Sequence, residues 1–311
     1  MKLIFLGTPV FAVPTLTGLA RTSHTLMAVI TQPDRPRGRG MKLASSPVKK
    51  AALELGLQVM QPDEAPSSST LEELRKLGVE AAVVVAYGRI LKRDFLDIPA
   101  FGCINLHPSL LPRYRGPTPI QSAILAGEQR TGATAMLLDE GTDTGDILLQ
   151  REVEILPDDT AGILHDRLAE VGAELMIETL EAVENRRVVP RPQDESKATM
   201  TRKLEKKDSI IDWSRSPGEI YSLMRAMDPS PGCRTTLGGS SLKVWKIAPC
   251  EETAPEAPPG KVLKAAHGEF VVQAAGGAIR ILELQRAGGR RMSAGEFMRG
   301  HPVAEGSMLG E

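Results

Sequence analysis

The chain has 311 residues, of which 41% are hydrophobic and 25% charged, and its formal net charge is −1. That length exceeds one typical domain and points to two of unequal size, with the composition of an ordinary globular protein. The near-neutral charge excludes a polycation that coats nucleic acid indiscriminately, and no apolar run is long enough to span a bilayer, so no membrane partner is expected.

Lys2 to Leu6 is a short apolar run that ends at Gly7-Thr8-Pro9. It is too short for a signal peptide and ends as a first strand ends. Val10 to Leu19 follows as a helix and Leu26 to Ile30 as a second strand, the opening of a parallel sheet with a right-handed crossover. Gly7-Thr8-Pro9 lacks the second and third glycines of a dinucleotide fingerprint, so a tight turn into a helix is expected there.

Gln32 to Gly40 is too rich in proline and glycine to be strand or helix. Arg35, Arg37, Arg39, Lys42, Lys49 and Lys50 make it and its flank strongly basic, and guanidinium groups on a long loop suit phosphate recognition. Val48 to Leu55 and Leu71 to Leu77 read as helices. Ala81 to Val85 has the unbroken apolar character of a strand buried on both faces. Ile104 to Leu106 is a further strand, Pro117 to Leu125 a helix, and Ala133 to Leu138 and Ile147 to Ile155 strands on either side of an acidic loop. Thr160 caps a long helix to Val183, in which apolar residues recur at helical spacing and His165 reads as a packing or surface residue.

The composition then shifts, and the polar, proline-containing and basic stretch from Asn185 to Asp208 reads as an interdomain linker. A helix over Pro217 to Met227 precedes five short strand-like runs separated by glycine and proline turns. That pattern predicts a small OB-like antiparallel barrel, a frequent nucleic-acid binder. Cys103, Cys233 and Cys250 have neither disulfide arithmetic nor metal-ligand spacing, so no metal and a reducing, cytoplasmic setting are expected.

The most informative stretch is Cys103 to Gly116. Asn105 and His107 are two residues apart, so on a strand they point to the same face, and Pro108 stops regular pairing just after them. An amide and an imidazole delivered at a strand end are how an open α/β sheet presents a site. The glycine-bracketed acidic loop Asp139 to Asp146 offers Asp143 as the partner of that imidazole. No nucleophile elbow, metal cluster or phosphate loop competes. A site with amide, imidazole and carboxylate, and no protein nucleophile, suits direct transfer between two bound substrates.

Asn105-Leu-His-Pro-Ser-Leu-Leu-Pro-Arg-Tyr-Arg-Gly116 and Leu138-Asp-Glu-Gly-Thr-Asp-Thr-Gly-Asp-Ile147 resemble the paired signatures of the formyltransferases that use 10-formyltetrahydrofolate. Phe5 to Pro14, Gln32 to Gly40, Ser46 to Lys49 and Arg291 to Gly300 are similar to the branch of that family acting on initiator methionyl-tRNA. The resemblance covers essentially the whole chain. It implies a Rossmann-like catalytic domain over residues 1–188, a basic linker over 189–207 and an OB-like barrel over 208–311.

It also implies transfer of a formyl group from 10-formyltetrahydrofolate to the α-amine of methionine on initiator tRNA, giving N-formylmethionyl-tRNA for translation initiation. The protein is expected to act as a monomer. The family's catalytic trio falls on Asn105, His107 and Asp143, with Asn105 and His107 expected as donors to the developing oxyanion and Asp143 orienting His107. The folate-binding turn falls on Ser109, Leu110, Leu111 and Pro112. Val84, Tyr87, Gly88, Ile90, Leu91, Asp139 and Gly141 are implied as walls of the pterin pocket. Arg35, Arg37, Arg39, Lys42, Lys203 and Lys206 are implied as tRNA contacts. Relatives that formylate glycinamide ribonucleotide or an amino sugar would leave the barrel or the basic loop unexplained, and a tRNA-binding protein without activity would not need the trio intact.

Overall fold

The computed structural model describes residues 1–37, 41–63, 68–252 and 254–310. The chain divides into two compact units, one of Met1–Pro119, Arg130–Glu154 and His165–Arg202, the other of Ile120–Gln129, Ile155–Leu164 and Lys203–Glu311.

The first unit is built on a seven-stranded sheet. Strand β1 (Lys2–Gly7) is buried from Leu3 onward, as its apolar run requires. Helix α1 (Val13–Leu19) and strand β2 (Thr25–Ile30) follow. Next come a two-stranded ribbon, β3 (Arg35–Arg37) and β4 (Lys42–Ala44), helix α2 (Pro47–Glu54), strand β5 (Val59–Met60) and helix α3 (Ser68–Leu77). Strand β6 (Ala81–Val85) is buried at every position, and helix α4 (Arg93–Leu96) leads to strand β7 (Cys103–His107), also buried throughout. Helix α5 (Pro119–Leu125), which from Ile120 belongs to the second unit, precedes strands β8 (Arg130–Leu137) and β9 (Ile147–Glu154), and the long helix α6 (Ala161–Glu184), of the first unit from His165 onward, follows them.

The strand order is β5-β2-β1-β6-β7-β8-β9. The pairs from β5 to β7 are parallel, whereas β8 runs antiparallel to both β7 and β9. The Rossmann-like expectation therefore holds for five strands and gives way to an antiparallel edge. The short acidic loop between β8 and β9 permits only a hairpin return, because a parallel neighbour needs a crossover of a dozen residues or more. Strand β7 thus sits where the sheet changes from parallel to antiparallel.

The basic segment departs from the sequence expectation of no strand. Arg35 pairs with Ala44, Pro36 with Leu43 and Arg37 with Lys42 in an antiparallel ribbon. Two strands alone leave outward positions where proline's missing N–H costs nothing, so Pro36 does not prevent pairing.

Helix α6 fixes the back of β7. Alternation puts Leu106 on the face opposite Asn105 and His107, and there it meets Gly172 of α6. A Cβ on Gly172 would fall 2.6 Å from Leu106 Cδ2, so only glycine allows this approach without moving the leucine. Thr160 accepts from the Ile163 amide as the N-cap of α6. His165, the expected packing residue, stands edge-on to the Phe11 ring with centroids 5.1 Å apart.

In the part of the second unit from Lys203 onward, helix α7 (Pro217–Met227) is capped reciprocally by Ser216 and Glu219. Strands β10 (Cys233–Leu237), β11 (Ser240–Cys250), β12 (Val262–Ala266), β13 (Glu269–Ala274) and β14 (Gly277–Arg286) form an antiparallel sheet in the order β10-β11-β14-β13-β12. Strand β15 (Met292–Ser293) pairs with β14 and runs into helix α8 (Ala294–Gly300). Leu309 bridges to Leu237 on one edge strand, and Met308 bridges to Lys261 beside the other. The Leu309 amide donates to Gly260 O at 2.9 Å and the Gly310 amide to Thr236 O at 3.0 Å. The last residues therefore join the two sheet edges and close the barrel, which removes edges that would otherwise invite pairing with other chains.

The barrel core contains Trp213, Ile220, Met224, Val244, Phe270, Ile279, Leu284, Phe297 and Leu309. A cavity of about 740 Å³ lies at its β10–β11 turn, lined in part by Leu237, Leu242, Phe297 and Met308.

Leu309 is 3% exposed and belongs both to the core and to the closure. Leu309→Ala should cost the second unit about 2–5 kcal/mol, the usual range for a buried leucine. Both tryptophans, Trp213 and Trp245, lie in this unit, so their fluorescence during urea unfolding isolates its transition. An unshifted midpoint would contradict the closure.

Candidate active site

The site starts from the period-two geometry of β7. Asn105 lies opposite Met136, and His107 opposite Thr134, in the antiparallel register with β8. Both side chains are nearly buried, at 9% and 5% exposure. Among the described residues no hydrogen-bond partner is found for the Asn105 side chain. A buried amide normally has a partner, so an amide left open at a strand end is a donor available to a ligand.

Thr134 also secures the turn that follows. Its hydroxyl donates to Ser109 O at 2.6 Å and accepts from the Leu111 amide at 3.2 Å. Gln150 reaches across from β9 to donate to Leu111 O and to the Thr134 hydroxyl, each at 2.9 Å. Ser109 is itself buried and donates to Arg113 O at 2.6 Å. The apolar turn is therefore pinned by side chains of the antiparallel edge.

His107 Nε2 lies 2.9 Å from Tyr114 O. A carbonyl only accepts, so Nε2 carries the proton and donates. Nδ1 then faces Asp143, with its Oδ2 at 3.5 Å. Both ring nitrogens are directed at protein acceptors, and the imidazole orientation is set from two sides.

Asp143 comes from the loop between β8 and β9, in a left-handed conformation with φ of 54°. Few non-glycine residues adopt that region unless the surroundings impose it, although aspartate tolerates it better than most. Three contacts act on the loop. The Gly116 amide donates to Asp143 Oδ2 at 2.7 Å. Gln193 Nε2 donates to Asp143 O at 2.8 Å and to Gly145 O at 2.7 Å. Asp139 spends its carboxylate inside the loop, accepting from the Gly141 amide and the Thr144 hydroxyl. A Cβ on Gly145 would lie 1.9 Å from Leu137 O, so the close return of the loop onto β8 requires glycine there.

Sequence reasoning did not find Gln193 or Arg115 as parts of this site. The Arg115 guanidinium is almost fully buried. It donates to Gln193 Oε1 at 3.0 and 2.8 Å and to the Glu195 carboxylate at 3.0 and 2.7 Å. Arg115 holds the Glu195 carboxyl below its usual range through that hydrogen bond. The segment beyond α6 runs alongside: Thr199 N donates to Pro112 O, Arg115 N to Thr199 O, and Thr201 N to Arg115 O. A signal was present in Arg115, a second arginine beside the glycine of the motif, but its partners lie almost eighty residues away.

The residues implied as pocket walls divide by burial. Val84, the last but one residue of β6, and Tyr87, Leu91 and Leu111 are buried in apolar clusters. Burial raises the Tyr87 phenol above its ordinary pKa, and its hydroxyl has no partner among the described residues. Gly88 has a positive φ of 79°, and the side chain of Gln32 caps its carbonyl and that of Tyr87. Ile90 is 81% exposed, as are Asp139 and Gly141, while Leu110 and Pro112 are half-buried.

Of the basic residues, Arg35 is exposed on β3, and Arg37 and Lys42 form the last pair of the ribbon. Arg39 lies outside the described residues. Lys203 and Lys206 are exposed in the second unit. Among the described residues no cluster of His, Cys, Asp or Glu could hold a metal ion, and no helix is long and apolar enough to cross a membrane.

Comparison with known proteins places this geometry in context. A chain from Helicobacter canadensis, an N-formyltransferase solved with folinic acid and dTDP-3-aminofucose, superposes with a TM-score of 0.67 at 21% identity, covering 90% of this chain and 98% of that one. At that identity the likeness speaks for the fold alone. The methionyl-tRNA formyltransferase of Pelotomaculum thermopropionicum is 46% identical over 100% of this chain and 99% of its own. The protein of the same name from Caldanaerobacter subterraneus is 45% identical over 99% of this chain and 100% of its own. The formyl transferase family model matches residues 1–180, and the model of the formyl transferase C-terminal domain matches residues 203–302. With both parts matched in order and relatives alike from end to end, the chain belongs to the formyl transferase family.

Proposed function

We propose that the chain transfers the formyl group of 10-formyltetrahydrofolate to the α-amine of methionine on initiator methionyl-tRNA, with Asn105, His107 and Asp143 as its catalytic residues. The observation that carries the reading is the buried Asn105 amide, open at the strand end, beside a His107 whose Nδ1 faces Asp143 Oδ2 at 3.5 Å. End-to-end similarity to methionyl-tRNA formyltransferases supports the choice of acceptor.

Folate supplies the activated formyl carbonyl, and the amine of the charged tRNA is the nucleophile. Negative charge gathers on the formyl oxygen as the amine adds, and a donor already aimed there lowers the barrier most. Asn105 supplies that donor from its side chain. His107 keeps its Nε2 proton on Tyr114 O, so Nδ1 is the atom that exchanges a proton, with Asp143 as the adjacent carboxylate. Nδ1 takes the proton that the adding amine sheds, which makes the ring a cation paired with Asp143 beside the oxyanion. Nδ1 then gives that proton to the folate N10 as the C–N10 bond breaks, so that tetrahydrofolate leaves as the formylated amine forms. The Ser109–Pro112 turn, with Val84, Tyr87, Gly88, Ile90, Leu91, Asp139 and Gly141, forms the folate site in this reading.

Residues 1–188 carry the chemistry, and residues 189–207 and the barrel over 208–311 take part in holding tRNA. Arg35, Arg37, Arg39, Lys42, Lys203 and Lys206 meet phosphates, which position the acceptor without reading its sequence. In this reading the protein works as a monomer in the cytoplasm, a reducing setting in keeping with Cys103, Cys233 and Cys250, which form no disulfide.

His107→Ala and Asp143→Ala should each lower single-turnover formylation by about 10²- to 10⁴-fold, the range for lost acid–base assistance. Asn105→Ala should lower it by roughly 10²- to 10³-fold, the cost of one oxyanion donor. Folded variants that retain near-normal turnover would remove these assignments. Binding of the charged tRNA should weaken steeply between 50 and 200 mM salt, by about a power of ten for each decade of salt and each phosphate contact. Arg39→Ala should reduce that slope, and a filter-binding affinity indifferent to salt would contradict the phosphate contacts.

A further inference from the structure

We infer that Gln193, held by Arg115, is a positioning residue that sets Asp143 for proton transfer; the inference rests on the catalytic reading of Asp143 given above. The Gln193 amide is saturated. Nε2 gives its two protons to Asp143 O at 2.8 Å and Gly145 O at 2.7 Å, while Oε1 receives two from Arg115, at 3.0 Å from Nε and 2.8 Å from a terminal nitrogen. This pattern fixes which end of the amide is which. A flipped amide would set its oxygen against two carbonyls and its NH₂ against a guanidinium.

The two carbonyls that Gln193 grips flank the bend on which the Asp143 side chain is mounted. At Asp143 the backbone is left-handed, φ 54°, a conformation that persists only when neighbouring contacts impose it. The Gly116 amide holds the carboxylate end at 2.7 Å, and Gln193 holds the backbone end. Arg115 connects the two, because it is the residue immediately before Gly116 and its side chain is the support of Gln193. Arg115 is 3% exposed, and its guanidinium is further satisfied by Glu195. One rigid assembly therefore sets the distance from Asp143 Oδ2 to His107 Nδ1.

Gln193 touches neither His107 nor the site of the reacting atoms, so its effect passes through Asp143. It also comes from the stretch whose composition reads as a linker, which gives that stretch a part in catalysis as well as in connecting domains. Positioning of this kind enters the chemical step and leaves substrate binding unchanged, since a misplacement of about 1 Å can cost 10²-fold in rate.

The test is a double-mutant cycle on the whole 311-residue chain, with steady-state formylation of methionyl initiator tRNA as readout. Gln193→Glu keeps the shape and the acceptor for Arg115 but loses both donors to the loop. Gln193→Ala carries the same test without a new charge should the glutamate variant melt early. The expected result is a fall in kcat of between about 10- and 100-fold with KM for folate and tRNA within about twofold of the parent. That fall should vanish when the same change is made in Asp143→Asn, because coupled residues are non-additive. An equal fall in both backgrounds, a change confined to KM, or unchanged kcat in a folded Gln193→Ala overturns the inference. Full activity of Asp143→Asn itself would instead overturn the catalytic reading, so the two failures are distinguishable.

Discussion

The hydrogen bond from the Gly116 amide to Asp143 Oδ2, at 2.7 Å, joins the two segments on which the site is built. One end belongs to the loop after β7, the other to the loop between β8 and β9, and the two strands are neighbours in the sheet. A charge-assisted bond to a backbone amide is about twice as strong as a neutral one and orients the carboxylate as well as holding it. With Asp143 fixed there, His107 is confined between that carboxylate and Tyr114 O. Asn105, two residues before His107, shares its face because the strand period is two. The geometry of all three groups follows from one strand, one adjacent hairpin and the contact that ties their ends.

The change from parallel to antiparallel pairing at β7 is what makes that contact possible. A parallel neighbour would need a long crossover, whereas the antiparallel register sets Leu137 beside Ile104 and Thr134 beside His107, so the acidic loop leaves β8 next to the start of β7 and Asp143 reaches His107 from there. The same hairpin supplies Thr134 and Gln150, which pin the Ser109–Pro112 turn. Behind the strand, Gly172 lets α6 lie close against Leu106. The reactive face is thereby left to polar side chains while the opposite face is buried in hydrocarbon.

Much of this was legible in the sequence, for reasons tied to particular residues. The Asn105–His107 alternation and the stop at Pro108 are local, and period two states them without tertiary information. The bounds of α7 match the reading of Pro217 to Met227 because Ser216, Pro217 and Glu219 form a complete start signal. The short loop between β8 and β9 already requires those two strands to be antiparallel, but the antiparallel pairing of β8 with β7 was not legible, since it depends on which strand becomes the neighbour. The ribbon of Arg35 to Ala44 was hidden by Pro36, whose cost depends on which edge is free. Barrel closure through Leu309 and the grip of Gln193 on the Asp143 loop join residues tens of positions apart, and neither has a local pattern to announce it.

The central claim is that formyl passes directly from folate to the amine of charged tRNA, with this chain as the positioning and proton-moving scaffold. The most direct measurement follows a labelled formyl group from 10-formyltetrahydrofolate in a rapid-quench single turnover with methionyl initiator tRNA, glycinamide ribonucleotide and an amino sugar nucleotide present together. Label is expected on the methionyl-tRNA amine alone, with none on the protein at any time. Label on the protein before it reaches tRNA, or transfer to either small-molecule amine in preference to tRNA, would contradict it.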